Sequence, residues 1–265
     1  MGSISAFLSG LLKKKDSDLE KFNSIMEFAS KVLEKNKYAL VDVVKSLSFP
    51  IQYIEISNLM SKDNGVDFNF FCDFFWDDTE KYVWTEMRNK DNKVEAYDNN
   101  SKNFNLDLKR DIVIPTMWNR ERLLDALTSY GAGKNKVSWR QDDNHRVEAW
   151  LPWGISVVDA GNHSIAAGII SGDGCLVPDR IYDLSGIFDL VKCDGKAYTY
   201  IGTERVRDSA LCHIHIMPND ILSPVDDINT ACIFEIGRMM VKNGVHAWQN
   251  VNFVKASKKV NLPNP

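Results

Sequence analysis

A chain of 265 residues with 44% hydrophobic and 26% charged residues can bury one large core, with or without a small helical appendage, and is not globally disordered. A formal net charge of -4 gives no support for sequence-independent nucleic-acid binding. The basic clusters at Lys13, Lys14 and Lys15 and at Lys134, Lys136, Arg140 and Arg146 read as solvated surface. Five cysteines (Cys72, Cys175, Cys193, Cys212 and Cys232) are odd in number and widely spaced, with no C-x-x-C pair. They indicate neither a disulfide framework nor a cysteine zinc site, and reduced thiols in a cytoplasmic protein are expected.

The opening MGSISAFLSGLLKKK has an apolar face at Ile4, Phe7, Leu8, Leu11 and Leu12 followed by three lysines. It predicts a terminal helix docked on the protein itself, with membrane-surface contact by residues 4–15 as the alternative. The stretch lacks the charge-then-apolar order of a signal peptide, and Ala6 stands where a myristoylation signal has Ser or Thr. No apolar run is long enough to span a bilayer. Asp16, Ser17 and Asp18 can cap a helix with Leu19, Phe22, Ile25, Met26, Ala29, Val32 and Leu33 on one face, interrupted at Asn36-Lys37. Leu40, Val43, Val44 and Leu47 mark a second helix that Pro50 should stop, completing a helical hairpin over something apolar.

Residues 51–56 (IQYIEI) read as a strand and residues 58–65 as a loop. Residues 66–76 carry six large aromatics, which form buried core or, alternatively, a partner surface. Residues 81–88 and 93–97 suggest a hairpin, and residues 98–105 an exposed loop. Residues 111–114 form a strand, and Asn119 caps a helix with Leu123, Leu124, Leu127 and Tyr130 that closes at Gly131. Residues 137–140 and 146–150 read as a hairpin, with His145 on the surface of its turn. Residues 175–182, 187–191, 196–202, 211–217 and 251–254 have strand patterns. Ser223-Pro224 should open a helix that buries Ile228, Cys232, Ile236, Met239 and Met240 and stops at Asn243-Gly244. The prediction is an α+β fold: a small mixed sheet with packed helices over residues 51–222, with an insertion at about 61–105. Residues 1–50 add a helical extension, and residues 223–265 a C-terminal helix and tail packed on the core.

Residues 155–172 (ISVVDAGNHSIAAGIISG) carry the sharpest functional signal. A β-branched strand enters a turn at Gly161 and leaves as a small-residue helix, so unpaired backbone N–H groups converge and favour an anion such as phosphate. Asn162 reads as the N-cap, and His163 and Ser164 fall in the first turn, where both can meet a ligand oxygen. Capping alone also explains such a turn. Asp159 and Asp173 flank it and can hold a divalent cation on the phosphate oxygens, or act as turn formers. His213 and His215, two apart in a strand, suit either a solvent-exposed sheet face or a shared metal with His145, His163 or an Asp as third ligand. Glu204, Arg205, Arg207 and Asp208 form an anion clamp or a charged strand edge.

The succession DIVIP, helix NRERLLDALTSYG, hairpin, strand ISVVDA, GNHS turn, helix and GDGCLVPDRIYDL resembles the core of the ParB/sulfiredoxin-like superfamily. The resemblance covers about residues 51–190, with the insertion near 61–105. Gly161, Asn162, His163 and Ser164 align with that family's phosphate-contacting loop, and Val177-Pro178 with the start of its next strand. Two departures remove the best-known chemistries of the superfamily. Asn162 and Ser164 stand where sulfiredoxin-like members carry a catalytic cysteine and an arginine. His163-Ser164 replaces the doubled arginine of ParB-like members, and only one helix, not a helix-turn-helix, follows residue 222.

The expected protein is bacterial in type and binds a nucleotide, with Mg, or another small phosphate-containing ligand at residues 161–164. Phosphoryl transfer or hydrolysis is the reaction class such a site serves, with His163 as acid–base group or phosphate donor and Asn162 and Ser164 as orienters. The resemblance also allows nuclease activity and roles in phage defence or mobile elements. The alternative is a non-catalytic interaction module that binds a protein partner, or a second copy, through the N-terminal helices and the aromatic segment.

Overall fold

Two long helices open the computed structural model, which describes residues 2–61, 95–98, 104–131, 133–134, 138–209, 212–249, 251 and 254–255. Helix α1 (Gly2–Lys35) takes in the whole N-terminal stretch, so Asp16, Ser17 and Asp18 lie inside it and cap nothing. No proline interrupts residues 2–35 and the lysines are good helix formers, so the two apolar patterns join. Asn36 ends the helix: its backbone is extended, and its side-chain oxygen accepts the Tyr38 N–H at 3.1 Å to start a 3-10 turn, Lys37–Ala39.

Helix α2 (Leu40–Ser61) runs straight through Pro50. The strand expected over residues 51–56 is therefore helical, as are residues 58–61 of the expected loop. Burial is the reason. Ile51, Gln52, Ile56 and Leu59 are each at most 3% exposed and form one helical stripe. Burying the three apolar members of that stripe outweighs the roughly 3 kcal/mol that a proline costs inside a helix. The aromatic segment 66–76, and all but the end of the hairpin expected over 81–97, lie outside the described residues.

Strand β1 (Glu95–Asp98) is followed by β2 (Leu106–Asp107), β3 (Ile112–Ile114) and helix α3 (Arg120–Ser129). Next come β4 (Arg146–Leu151), β5 (Ile155–Ala160) and helix α4 (Asn162–Ser171). Then follow β6 (Cys175–Leu176), β7 (Arg180–Asp183), a 3-10 turn (Ser185–Asp189), β8 (Val191–Cys193) and β9 (Ala197–Tyr200). The chain closes with β10 (Arg205–Ser209), β11 (Cys212–Ile216), β12 (Ile221–Pro224), helix α5 (Ile228–Lys242) and β13 (Val254–Lys255). One mixed sheet has the order β13-β1-β7-β4-β5-β3, with β3 parallel to β5, β4 parallel to β7 and the other neighbours antiparallel. Smaller sheets join β12, β9 and β8, then β10 with β11, and β2 with β6. The fold is α+β.

Three local expectations fail for physical reasons. No hairpin forms before β4: residues 138–140 are not a strand, and β4 pairs with β5 and β7 instead. Residues 175–182 split into β6 and β7, which belong to different sheets on either side of Val177-Pro178. Ser223-Pro224 ends β12 rather than opening a helix. The helix starts at Ile228 because Asp227 is the better cap, its Oδ1 accepting both the Thr230 N–H at 2.7 Å and the Thr230 hydroxyl at 2.9 Å.

Strand alternation sorts the sheet into two apolar faces. Ile112, Ile114, Trp150, Ile155 and Tyr182 bury with Phe22, Leu40 and Val44 of the first two helices and with Phe234 and Ile236 of α5. Val113, Val147, Ala149, Val158 and Ile181 bury with Leu123 of α3 and Ile165 and Ile169 of α4. Gln52, 1% exposed, seals the β3 edge: its Oε1 accepts the Val113 N–H at 2.9 Å, a donor that the sheet leaves unpaired. Among the described residues no helix is long and apolar enough to cross a membrane.

Candidate functional site

Because β3 and β5 are parallel neighbours, their carboxyl ends open at one end of the sheet, and each passes into a helix. β3 leads through residues 115–119 into α3, and β5 through Gly161 into α4. The crevice outside such carboxyl ends is where open α/β sheets collect ligands. Gly161 has φ 82° and ψ 19°. A Cβ there would stand 2.5 Å from His145 Cδ2 and 2.9 Å from the Asn144 carbonyl oxygen, so glycine alone suits both the turn and the space. It is also the N-cap residue of α4, and no side chain caps the helix there.

Asn162, expected as the cap, is instead the first helical residue. It is 4% exposed, and its Oδ1 accepts the Thr116 N–H at 2.7 Å. His163 is 7% exposed, its Nε2 accepts the Asn119 N–H at 3.2 Å, and its ring meets Trp118 edge-on with centroids 4.8 Å apart. These two side chains tie the loop after β3 to the first turn of α4.

The Asn119 bond fixes the state of His163. A backbone donor at Nε2 requires a lone pair there, so the neutral ring is assigned its proton on Nδ1. Burial first, and the Arg122 guanidinium second, hold the imidazole below its ordinary pKa. Among the described residues Nδ1–H has no hydrogen-bond partner. His163 is thus neutral, with its Nε2 lone pair taken by Asn119 and its Nδ1–H left as a donor. Arg122 also stands over the Trp118 ring, its Cζ 5.9 Å from the centroid.

Ser164 turns away from this junction. Its Oγ and its carbonyl oxygen both accept the Trp139 indole N–H, at 3.0 and 2.8 Å. The Trp139 backbone N–H in turn donates to Asp173 Oδ2 at 2.9 Å, so Trp139 braces α4 along its length. Asp173 therefore lies past the far end of the helix. Ten residues at a rise of ~1.5 Å put it roughly 15 Å from Gly161, too far to share a cation with Asp159. Asp159 is exposed and paired with Arg146 at 2.8 Å, a contact worth little in water.

His145 is not a surface residue: it is 4% exposed and packs on Trp139 with ring centroids 4.7 Å apart. Burial lowers its pKa and Asp142 opposes that, so its Nδ1 accepts the Asp142 N–H at 2.9 Å and the nearby carboxylate makes no ion pair with a neutral ring. His215 is exposed, with Nε2 2.8 Å from Glu204 Oε1, while the side chain of His213 lies outside the described residues. Among the described residues no three His, Cys, Asp or Glu groups gather to hold a metal. Burial pushes the thiols of Cys193 and Cys232 up to about 12, which leaves them unreactive.

Sequence reasoning missed two residues. Trp118 is 54% exposed at the mouth of the junction. Glu148 is half-buried on the opposite sheet face, and burial pushes its carboxyl up to about 7. Its signal was the lone carboxylate in the apolar alternation of RVEAWL.

These features define an α+β protein with an uncapped helix N-terminus and a neutral donor histidine at the carboxyl ends of two parallel strands. The chain belongs to a family of unknown function, DUF6710, whose model matches residues 8–247 and so includes the whole junction. No curated protein and no solved structure matches the chain.

Proposed function

We propose that the protein binds a small phosphate-containing ligand, nucleotides included, at the first turn of α4. Backbone N–H groups after Gly161 and the Nδ1–H of His163 donate to it. The observation that carries this reading is His163, a 7% exposed imidazole held neutral with a donor that nothing in the described protein satisfies. Among the described residues that donor is not one of the buried unpaired atoms, so it is open to an incoming ligand oxygen. The Asn162 and Ser164 side chains shape the turn rather than orient the ligand. Phosphoryl transfer or hydrolysis is the reaction class this site would serve, with His163 holding phosphate rather than removing a proton. Asp159 and Asp173 do not fit a shared Mg, and no step is assigned to one. The ParB/sulfiredoxin-like relationship belongs to the same proposal. It is supported by the succession β3, α3, β4, β5, Gly161 and α4, and weakened by Val177-Pro178 falling before β7 rather than at its start.

Thermal unfolding against ATP, CTP, GTP and ADP-ribose, with and without Mg, tests the reading. At a hundredfold excess over Kd, about 2.7 kcal/mol of stabilisation should raise Tm by roughly 5–10 °C. His163→Ala and His163→Gln should abolish the rise while each apo protein still unfolds cooperatively. Stabilisation by none of these ligands, or an undiminished rise in both variants, rejects it.

A second reading, a non-catalytic interaction module, rests on a different place. The first two helices leave an open apolar groove of about 550 Å³ lined by Ile25, Phe28, Val32, Val43 and Leu47. Phe28 is 59% exposed there. A second copy seated in this groove would give a dimer in sedimentation that Phe28→Asp dissociates. A monomer at every concentration counts against that occupant.

A further inference from the structure

We infer that Trp118, steadied by Arg122 and His163, is a stacking platform for the planar base of a nucleotide, so that the ligand of the α4 turn is a nucleotide rather than a bare phosphate or a sugar phosphate. This rests on the phosphate reading of His163 and adds the other half of the ligand.

The exposure of Trp118 is the first observation. Trp139, Trp150 and Trp153 are 8% exposed or less, as the large apolar area of an indole dictates, whereas Trp118 is 54% exposed. It lies beside the turn, not at a remote surface: its ring centroid is 4.8 Å from that of His163, at an interplanar angle of 78°. Trp118 and the first turn of α4 are thus neighbours through His163, which belongs to that turn.

Trp118 is also held in place before any ligand arrives. The next residue, Asn119, donates its N–H to His163 Nε2 and accepts the Arg122 N–H on its side chain at 2.9 Å, so the backbone leaving Trp118 is fixed at both ends of a helix cap. The Arg122 guanidinium over the indole adds a cation–π contact. A pre-ordered aromatic loses little entropy when a planar ligand covers it. The Arg122 charge also acts on His163, and its forked donors suit phosphate oxygens. Stacking accepts any base, so the platform specifies a nucleotide without choosing among bases.

Calorimetric titration of the full chain with ATP, GTP, CTP and UTP, and with inorganic tripolyphosphate as the base-free control, decides the matter. The wild type should bind at least one nucleotide roughly ten- to a hundredfold tighter than tripolyphosphate, the range that one stacked base contributes. Trp118→Ala should bring that nucleotide down to the tripolyphosphate level and leave tripolyphosphate unchanged, while Trp118→Phe keeps most of the difference. If nucleotides and tripolyphosphate bind equally well and Trp118→Ala alters neither, the platform is overturned and the phosphate site stands. A Trp118→Ala variant that weakens both ligands equally also overturns it, because Trp118 then acts only by placing His163. If neither ligand class binds the wild type, the phosphate site and the platform fall together.

Discussion

Glu148→Gln should remove a pH-dependent cost built into the central sheet. Glu148 lies in β4 between Val147 and Ala149, both 0% exposed, with Val157 opposite it on β5 and Arg180 opposite it on β7. Burial lifts its carboxyl from 4.5 to about 7, against the pull of Arg180 and Tyr182 and with a smaller push from Asp159 and Asp179. A carboxyl whose folded pKa exceeds its unfolded one binds its proton more tightly in the native state. Its contribution is full below about 4.5 and is lost as pH rises through about 7. At 1.36 kcal/mol per tenfold, that displacement corresponds to about 3 kcal/mol. Glutamine keeps the shape and cannot ionise. Urea midpoints measured from pH 4 to 8 at constant m-value should therefore agree near pH 4 and diverge until the variant is about 3 kcal/mol more stable at pH 8. The lowered histidines His145 and His163 give the opposite slope in both proteins and cancel in the difference. Parallel profiles across the range would show that Glu148 ionises as an exposed carboxyl does, and would refute the reasoning.

Two further substitutions probe the frame around the site. Gln52→Leu strands the Val113 N–H at the β3 edge and should lower stability by about 1–3 kcal/mol in urea unfolding. An unchanged midpoint would mean that this edge needs no seal. Gly161→Ala combines a strained φ of 82° with a Cβ 2.5 Å from His145 Cδ2, whereas Gly133→Ala has a φ of 76° and nothing within 4 Å. The first should lower Tm clearly more than the second, and equal losses would remove the close packing of His145 as the reason for glycine.

The parts of this fold that short-range chemistry decides can be read from the sequence. Asn119 caps α3, Gly161 turns β5 into α4, and Gly172 closes α4 in the left-handed conformation, because each depends on its own φ or on a side chain reaching three residues ahead. What fails depends on partners far along the chain. Pro50 reads as a stop, yet the stripe it precedes is buried against elements more than fifty residues away, as the Gln52–Val113 bond shows. Asn162 has the composition of a cap, but Thr116 takes its oxygen. Asp173 is near Gly161 in sequence and distant in space because a straight helix separates them. The candidate site is legible at His163, which stands in a recognisable turn. Trp118 is not legible, since nothing local announces that one indole stays exposed while three others are buried.

The most direct test of a ligand site at the α4 turn is an amide spectrum of the isotope-labelled chain titrated with a nucleoside triphosphate. The largest shifts should fall on the backbone N–H groups of Asn162, His163 and Ser164, on the His163 ring and on the Trp118 indole N–H. Saturable shifts confined to the groove around Phe28, or no shifts at millimolar nucleotide, would contradict the site.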